Sequence, residues 1–395
     1  MTWDQNSVAT IGTAYSRDGN RSFGIRLKDR SQHIYILGQT GTGKSTLLSN
    51  LMRQDLQHGH GFCLIDPHGD LAKQITEQSD AYPTRDTIIW NTADPACPYG
   101  YNPMTRVSKK FRPLLASGLI DTLKKQWADA WGARMEHLLR YSILALLEQP
   151  KTDVRDIMRM FLESSFRREV LTQVTDEQVC LFWQKEFPAM NYKNAADGVA
   201  PIANKLGAFL AHPVIRRALC EPEVPLRLRK IMDEGQILII NLAKGQLGSD
   251  TSNVLGGMIA SGLAHAAYSR HTLSEAERRP FFLYVDEFHS FTTDAMAEML
   301  SELRKYGLSL TLANQYFGQI EGAVLDSILG NVGSLIAFRT SPKDAPILSR
   351  HLDGVEPRDL IAMPNYRMVV RLMVDGERTK AFTAWGHFPF NCGYK

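Results

Sequence analysis

Residues 38–46 read Gly-Gln-Thr-Gly-Thr-Gly-Lys-Ser-Thr, and their types and spacing suit the binding of a triphosphate. They fit the pattern G-x-x-x-x-G-K-[ST], in which a glycine-rich turn directs backbone N–H groups at phosphate oxygens. In this pattern Lys44 reaches the β- and γ-phosphates, and the Ser45 hydroxyl is placed for Mg²⁺. The predicted nucleotide-binding residues are Gly38, Gln39, Thr40, Gly41, Thr42, Gly43, Lys44, Ser45 and Thr46.

Two adjacent acids, Asp286 and Glu287, follow an apolar run at residues 281–285. Ligands bind at the carboxyl ends of strands in open α/β sheets, so this pair is expected beside the phosphate loop. Asp286 is then the predicted ligand of Mg²⁺, and Glu287 is the predicted general base that activates the attacking water. The one Asn-Lys pair, at 204–205, does not continue as a guanine-reading N-K-x-D, which favours ATP as the nucleotide.

Gln315 and Arg304 are two further candidates. Gln315 follows another apolar run and is predicted to contact the γ-phosphate or the attacking water. Arg304 ends an amphipathic helix, and its permanent charge suits a phosphoryl transition state, as in a finger reaching the site of a neighbouring subunit. A helix C-terminus that favours cations explains Arg304 equally well. The apolar stripe of that helix is Met296, Met299, Leu300 and Leu303.

The elements that must position these residues alternate between strand and helix. Buried strands are predicted at 34–37, 61–66, 86–90, 236–241, 281–285, 308–313 and 334–338. This rhythm predicts an α/β fold with a mainly parallel central sheet flanked by helices. A hairpin turning at 18–20 is predicted at the start of the chain, and a β pair at 366–373 and 379–384 near its end.

A long helical block interrupts the strand pattern at about residues 110–221. The predicted division is therefore a hairpin region at 1–30, a first nucleotide-binding part at 31–108, an all-helical domain at 109–222 and a second nucleotide-binding part at 223–395. A helix predicted at 251–269 contains Gly256, Gly257 and Gly262. Each glycine costs about 1 kcal/mol inside a helix, so we expect this helix to pack closely against a neighbour.

Composition limits the functional class only weakly. The 395 residues carry a net charge of +3, so any nucleic-acid surface has to be a local patch. The five cysteines form no C-x-x-C pair, which is typical of reduced thiols. The sequence contains no apolar run of 18 residues and no signal peptide, and we therefore expect a cytoplasmic protein without a transmembrane segment.

The motifs together resemble those of the HerA/FtsK superfamily of pumping ATPases, and within it the soluble core of conjugative coupling proteins of the TraG/TraD type. The resemblance covers nearly the whole chain in the same order. Its segments are GQTGTGKS at 38–45, DPHG at 66–69, WG at 131–132, NLAKG at 241–245, VDEF at 285–288, RKYG at 304–307, ANQ at 313–315 and FR at 338–339.

The resemblance implies a RecA-like P-loop core interrupted by an all-helical domain, and an ATP-driven DNA translocase that acts as a hexameric ring. It implies that Gln315 is a sensor, that Arg304 is a finger acting in trans, and that Arg339 is a second candidate for that task. Asp66 is expected beside the phosphate loop, without an assigned role. His289 is expected to be a surface histidine, or at most a neighbour of the site.

Partners and pathway stay open at this stage. DNA is the expected partner, single- or double-stranded, and Lys244 is the candidate to contact its phosphates. Secretion-channel, relaxosome or nuclease partners are further alternatives. Two other activities share these motifs: a secretion ATPase that moves protein, and a HerA-like ATPase paired with a nuclease in DNA processing or defence. A scaffold that binds ATP without hydrolysing it would not need Glu287.

Overall fold

The computed structural model describes residues 4–16, 19–83, 86–105, 107–190, 192–292 and 300–387. Contacts within the chain divide it into two compact units. The first contains Met1–Ile89, Arg229–Leu242 and Ala266–Lys395, and the second contains Trp90–Leu228 and Ala243–His265. The boundaries expected from the sequence, after residues 30, 108 and 222, stay a prediction.

The main sheet has eleven strands among the described residues. They are β1 Val8–Ser16, β2 Gly19–Arg26, β3 Ile34–Leu37, β4 Gly61–Asp66, β5 Thr87–Asn91, β8 Ile237–Asn241, β9 Phe281–Val285, β10 Leu308–Asn314, β11 Ser334–Ala337, β12 Arg367–Arg371 and β15 Phe382–Gly386. Two short pairs lie outside the main sheet, β6 Tyr99–Gly100 with β7 Val224–Pro225, and β13 Met373–Val374 with β14 Glu377–Arg378.

The order of the main sheet is β2-β1-β15-β12-β11-β3-β10-β9-β4-β8-β5. Pairing is parallel from β11 through β3, β10, β9 and β4 to β8, and antiparallel from β2 through β1, β15 and β12 to β11. This confirms the predicted α/β class, the initial hairpin and the terminal β pair. The hairpin turn at residues 17 and 18 lies outside the described residues.

The parallel strands are apolar because both faces of the sheet are covered. All four residues of β3 are buried, and so are all five residues of β9. On one face, Ile34 and Ile36 join a core with Leu48 and Leu51 of the helix after the phosphate loop. On the other face, the Tyr35 ring stacks on Phe317, with centroids 6.3 Å apart.

Helices of the first unit connect and cover these strands. They are α1 Leu27–Arg30, α2 Lys44–His58, α3 Asp70–Ser79, α12 Leu228–Glu234 and, later in the chain, α15 Gly322–Asn331, α16 Ala345–His351 and α17 Pro357–Ile361. Leu300 and Leu303 of the predicted apolar stripe are each 1% exposed. Met296 and Met299 of the same stripe lie outside the described residues.

The second unit is mainly helical, as the periodicity of residues 110–221 predicts. Its helices are α4 Arg112–Gln126, α5 Ala133–Leu146, α6 Asp156–Leu162, α7 Ser164–Leu171, α8 Glu177–Leu181, α9 Phe187–Ala189, α10 Tyr192–Ala211, α11 Pro213–Cys220, α13 Lys244–Leu247 and most of α14 Ser249–Ser269. A Cβ at Gly257 would lie 2.6 Å from the Thr122 methyl, which confirms close packing of α14 on α4. Lys244, expected in a loop, instead begins the single turn α13.

A buried network of charges connects three elements of the first unit. The Arg30 guanidinium pairs with both Asp55 carboxylate oxygens at 2.7 and 3.0 Å, and it donates to the Tyr284 hydroxyl at 2.7 Å. His60 Nδ1 lies 3.1 Å from Asp55. Burial alone would raise the pKa of Asp55, but Arg30 and His60 outweigh it and lower that pKa to about 2.

We expect Asp55→Asn to destabilise the fold by about 3–5 kcal/mol, because it leaves the buried Arg30 charge without its counter-ion. Equilibrium denaturation measures this change. Glu302→Gln is the matched control, since its pair with Lys305 is exposed and contributes about 0–1 kcal/mol. The contribution of Asp55 should be complete above its unfolded pKa of about 4 and fall as the pH drops towards about 2. Equal losses in the two variants would contradict this account.

Candidate nucleotide site

The phosphate loop is fixed at both sides by the ends of neighbouring strands. The Gly38 N–H donates to the Asn314 carbonyl at 3.2 Å, and the Gln39 N–H donates to the Arg339 carbonyl at 2.9 Å. β3 delivers the loop between β10 and β11, which end at the same edge of the sheet. The loop therefore begins where polar residues from both neighbours are within reach.

Glycine is required at two points of this loop for different reasons. Gly43 has φ +120°, a conformation that residues with a side chain rarely adopt. At Gly38 a Cβ would lie 2.6 Å from the Phe338 Cβ, so that position has no space for a side chain. The helix α2 begins at Lys44 directly after this turn, so its N-terminal N–H groups and positive dipole end lie next to the loop.

Lys44 lies folded over its own loop. Its Nζ donates to the Gly38 carbonyl at 2.6 Å and to the Gln39 carbonyl at 3.2 Å, and the residue is 6% exposed. Burial lowers the pKa of Lys44, while the charges of Asp286 and Glu287 act to raise it. The ammonium thus lies where a phosphate could replace the two carbonyl oxygens as its partner.

The acidic pair lies in the same cleft, as the strand argument predicts. Burial raises the pKa of Asp286 to about 6, and the nearby Glu287 and Asp66 charges contribute to the increase. Asp66 has a structural task of its own, because its two carboxylate oxygens accept from the His68 and Ala72 N–H groups, each at 2.9 Å. Asp66 thereby orders the turn that leads into α3.

Glu287 is held by two neighbours and by an unusual backbone. Gln315 Nε2 donates to Glu287 Oε1 at 2.5 Å, and His289 Nδ1 lies 3.4 Å from Oε2. Glu287 has φ +49°, which is rare for a residue with a long side chain, and it is 7% exposed. His289 was expected to be a surface histidine or at most a neighbour of the site, and the structure supports the second alternative, because its side chain is 21% exposed and contacts the predicted base.

These groups line one cleft of about 340 Å³, a size suited to a small-molecule ligand. The lining residues are Thr40, Gly41, Gly43, Lys44, Ser45, Thr46, Asp66, His68, Asp70, Leu71, Gln74, Asp286, Glu287, Gln315 and Tyr366. The structure thus brings the phosphate loop together with the predicted metal, base and sensor residues. Tyr366 was missed by the sequence reasoning, because a tyrosine at the start of a strand carries no motif.

The two arginine candidates lie in different places. Arg339 is beside its own phosphate loop, where its Nε donates to Gln39 Oε1 at 3.3 Å. Arg304 is exposed and precedes β10, whereas Gln315 follows that strand. Seven residues of extended strand separate the two by about 20 Å, so Arg304 does not reach the cleft of its own chain.

The oxygen ligands at this site suit Mg²⁺. Ser45 and Asp286 both line the cleft and offer a hydroxyl and a carboxylate, the hard donors that this ion prefers. Burial raises the pKa of Asp286, and the nearby negative charges of Glu287 and Asp66 raise it further, while Lys44 acts in the opposite direction. In the described part of the chain, no group of three or more His, Cys, Asp or Glu residues could hold a metal by itself. Phosphate oxygens and water would have to complete the shell.

Comparison with known proteins places the chain in a family. A family described as the central domain of helicase HerA matches residues 9–260. The chain belongs to this HerA family of P-loop ATPases. A search of curated proteins by sequence found no match. Within the described residues, no helix has both the length and the apolar character needed to cross a membrane.

Solved structures with the same fold include the bacterial conjugative coupling protein TrwB and a VirB4 protein. The unbound form TrwBdeltaN70 is 17% identical, covers 93% of this chain and 87% of its own, and has a TM-score of 0.66. VirB4 of Thermoanaerobacter pseudethanolicus is 15% identical, with 98% of both chains covered and a TM-score of 0.62. This similarity confirms the RecA-type P-loop fold with its flanking helices.

We expect Glu287→Gln to bind ATP but to hydrolyse it about 100-fold or more slowly, because the amide cannot accept a proton from water. Nucleotide binding by calorimetry and turnover by phosphate release separate the two effects. Lys44→Ala is the comparison that should lose binding itself. Near-normal turnover of Glu287→Gln would exclude this residue as the base.

His289→Leu should lower kcat by about tenfold and leave the KM for ATP unchanged, because Glu287 loses one of its two described neighbours. A catalytic group displaced by about 1 Å can cost about 100-fold, and here Gln315 still restrains the carboxylate. Steady-state kinetics separate kcat from KM. His58→Leu, at an exposed position on α2, is the control. A rise in KM with constant kcat would point to a contact with nucleotide.

Proposed function

We propose that this chain is the motor subunit of an ATP-driven DNA translocase. The observation that carries the proposal is the convergence of the phosphate loop, Asp286, Glu287 and Gln315 on one cleft. A base beside a triphosphate site suits hydrolysis, which a binding scaffold would not need. Membership of the HerA helicase family supports DNA as the substrate that is moved.

Each residue of the cleft has a separate role in hydrolysis. Lys44 and the N–H groups of the loop bind the β- and γ-phosphates and neutralise charge that develops there. Glu287 orients the attacking water and accepts its proton, while Gln315 and His289 hold the Glu287 carboxylate. Ser45 and Asp286 would hold Mg²⁺, which supplies further charge neutralisation at the phosphates.

The nucleotide assignment is supported by complexes of a protein with the same fold. TrwB has been solved with ADP and Mg²⁺, with a non-hydrolysable ATP analogue and with a GTP analogue. For this chain we favour ATP, because no guanine-reading N-K-x-D occurs in its sequence. TrwB is described as a conjugative, plasmid coupling protein, and this supports conjugative DNA transfer as the process served.

A ring is proposed because no arginine is among the described residues that line the cleft. Arg304 lies about 20 Å from the cleft of its own chain, so it could act only on a neighbour. Arg339 lies beside its own loop and remains the second candidate. A closed homohexamer would place an exposed Arg304 from each subunit near the next nucleotide.

The central experiment measures the ATPase rate with and without single- and double-stranded DNA, on a sample whose oligomer mass is known by light scattering. We expect a hexamer and a DNA-stimulated rate. The expected result for a secretion ATPase that moves protein is a rate independent of DNA, and that outcome would overturn the proposal. Stimulation only in the presence of a nuclease partner would favour the role in DNA processing or defence.

We expect Arg304→Ala to lower kcat by about 1,000-fold if it acts as a finger. Rings mixed with Lys44→Ala subunits should regain part of the activity, because Lys44→Ala subunits supply arginine to intact clefts. Lys305→Ala, next to Arg304 but paired with Glu302, is the matched control. Mixed rings without recovery would identify Arg304 as a structural residue.

A further inference from the structure

Tyr366 lies beside the phosphate loop because of the mixed pairing of the sheet. β12 runs antiparallel to β11, so it begins at the edge where the parallel strands end. Tyr366 precedes β12, and its N–H donates to the Thr42 carbonyl at 2.7 Å. Its own carbonyl accepts from the Gly386 N–H at 2.8 Å. The backbone of Tyr366 is therefore fixed to the loop on one side and to β15 on the other.

The conformation of Tyr366 is costly for a bulky residue. It has φ +64°, in the left-handed region where aromatic side chains are rare. Backbone strain of this kind persists where the surrounding structure imposes it, and it concentrates at ligand sites. Glycine or asparagine would fit this backbone with less strain, so the turn alone does not explain a tyrosine at this position.

The ring itself faces the cleft. Tyr366 is half-buried and is one of the residues that line the cleft. A Cβ at Gly43 would lie 3.0 Å from Tyr366 Cδ1, which places the ring against the last glycine before Lys44. The ring thus lies directly beside the part of the loop that would hold the phosphates.

The order of strands fixes which part of a nucleotide this ring could meet. From β3, the sheet continues on one side through β10 to β9, which ends at Asp286 and Glu287. On the other side it continues through β11 to β12, which begins after Tyr366. A triphosphate whose γ-phosphate faces Glu287 would extend its nucleoside away from β9, towards Tyr366.

We propose that Tyr366 is the residue that contacts the nucleoside of the bound triphosphate, with its ring packed on the base. This inference rests on the proposed ATP site. It explains how that site recognises the nucleoside, which does not take part in the reaction. A ring face stacks on any base, because every base has a π-face. The contact therefore selects nucleoside triphosphates over inorganic polyphosphate and treats adenine and guanine alike.

The test compares ATP, GTP and inorganic tripolyphosphate in wild type and Tyr366→Asn. Asparagine tolerates the left-handed backbone, so this variant removes the ring without adding strain. We expect the KM for ATP and GTP to rise about five- to fifty-fold, with kcat nearly constant and tripolyphosphate binding unchanged. Tyr366→Phe should behave as wild type, and Tyr15→Asn, at an exposed tyrosine of the hairpin, is the matched control.

Equal losses for ATP and tripolyphosphate in Tyr366→Asn would overturn the inference, because they would show a disturbed phosphate loop. An unchanged KM for ATP would overturn it as well. A measurement on the wild type does not depend on whether the variant folds. ATP should bind to the wild type at least tenfold more tightly than tripolyphosphate does. Equal affinities would exclude a nucleoside contact. A wild type without ATPase activity would instead contradict the proposed function.

Discussion

The parallel register around β3 is the constraint on which the site depends. β3 pairs with β10 on one side and β11 on the other, in register over Ile34–Leu37. The carboxyl ends of these strands, and of β9, therefore meet at one edge, where the chain turns out of the sheet. The loop, the acidic pair and Gln315 are far apart in sequence, and they share a cleft because their strands end together.

The sequence predicted correctly those features that depend on neighbouring residues in the chain. The phosphate loop, the buried strands and Asp286 with Glu287 could all be predicted, because each couples a short apolar run to residues with a defined chemistry. The mainly helical second unit could be predicted from apolar residues that recur about every 3.6 positions. The alternation of strand and helix indicated only an α/β class with a parallel sheet, and the RecA-type core was implied by the resemblance of the motifs to the HerA/FtsK superfamily.

Residues whose role depends on distant partners could not be predicted. Arg30, Asp55 and Tyr284 form one buried network, yet each stands in the sequence without a nearby partner. Tyr366 reaches the loop only because β12 reverses direction beside β11. For His289, the sequence left open a surface position or a place beside the site, and only the fold shows its contact with Glu287.

Two carboxylates of the first unit, Asp55 and Asp286, differ in how their charge is balanced. Asp55 is matched by Arg30 and has its pKa lowered to about 2, so its charge is neutralised inside the protein. Burial raises the pKa of Asp286 to about 6, and the charges of Glu287 and Asp66 contribute to the increase. Lys44 offsets only part of that negative charge. A cation bound beside Asp286 would therefore be stabilised by the acidic pair.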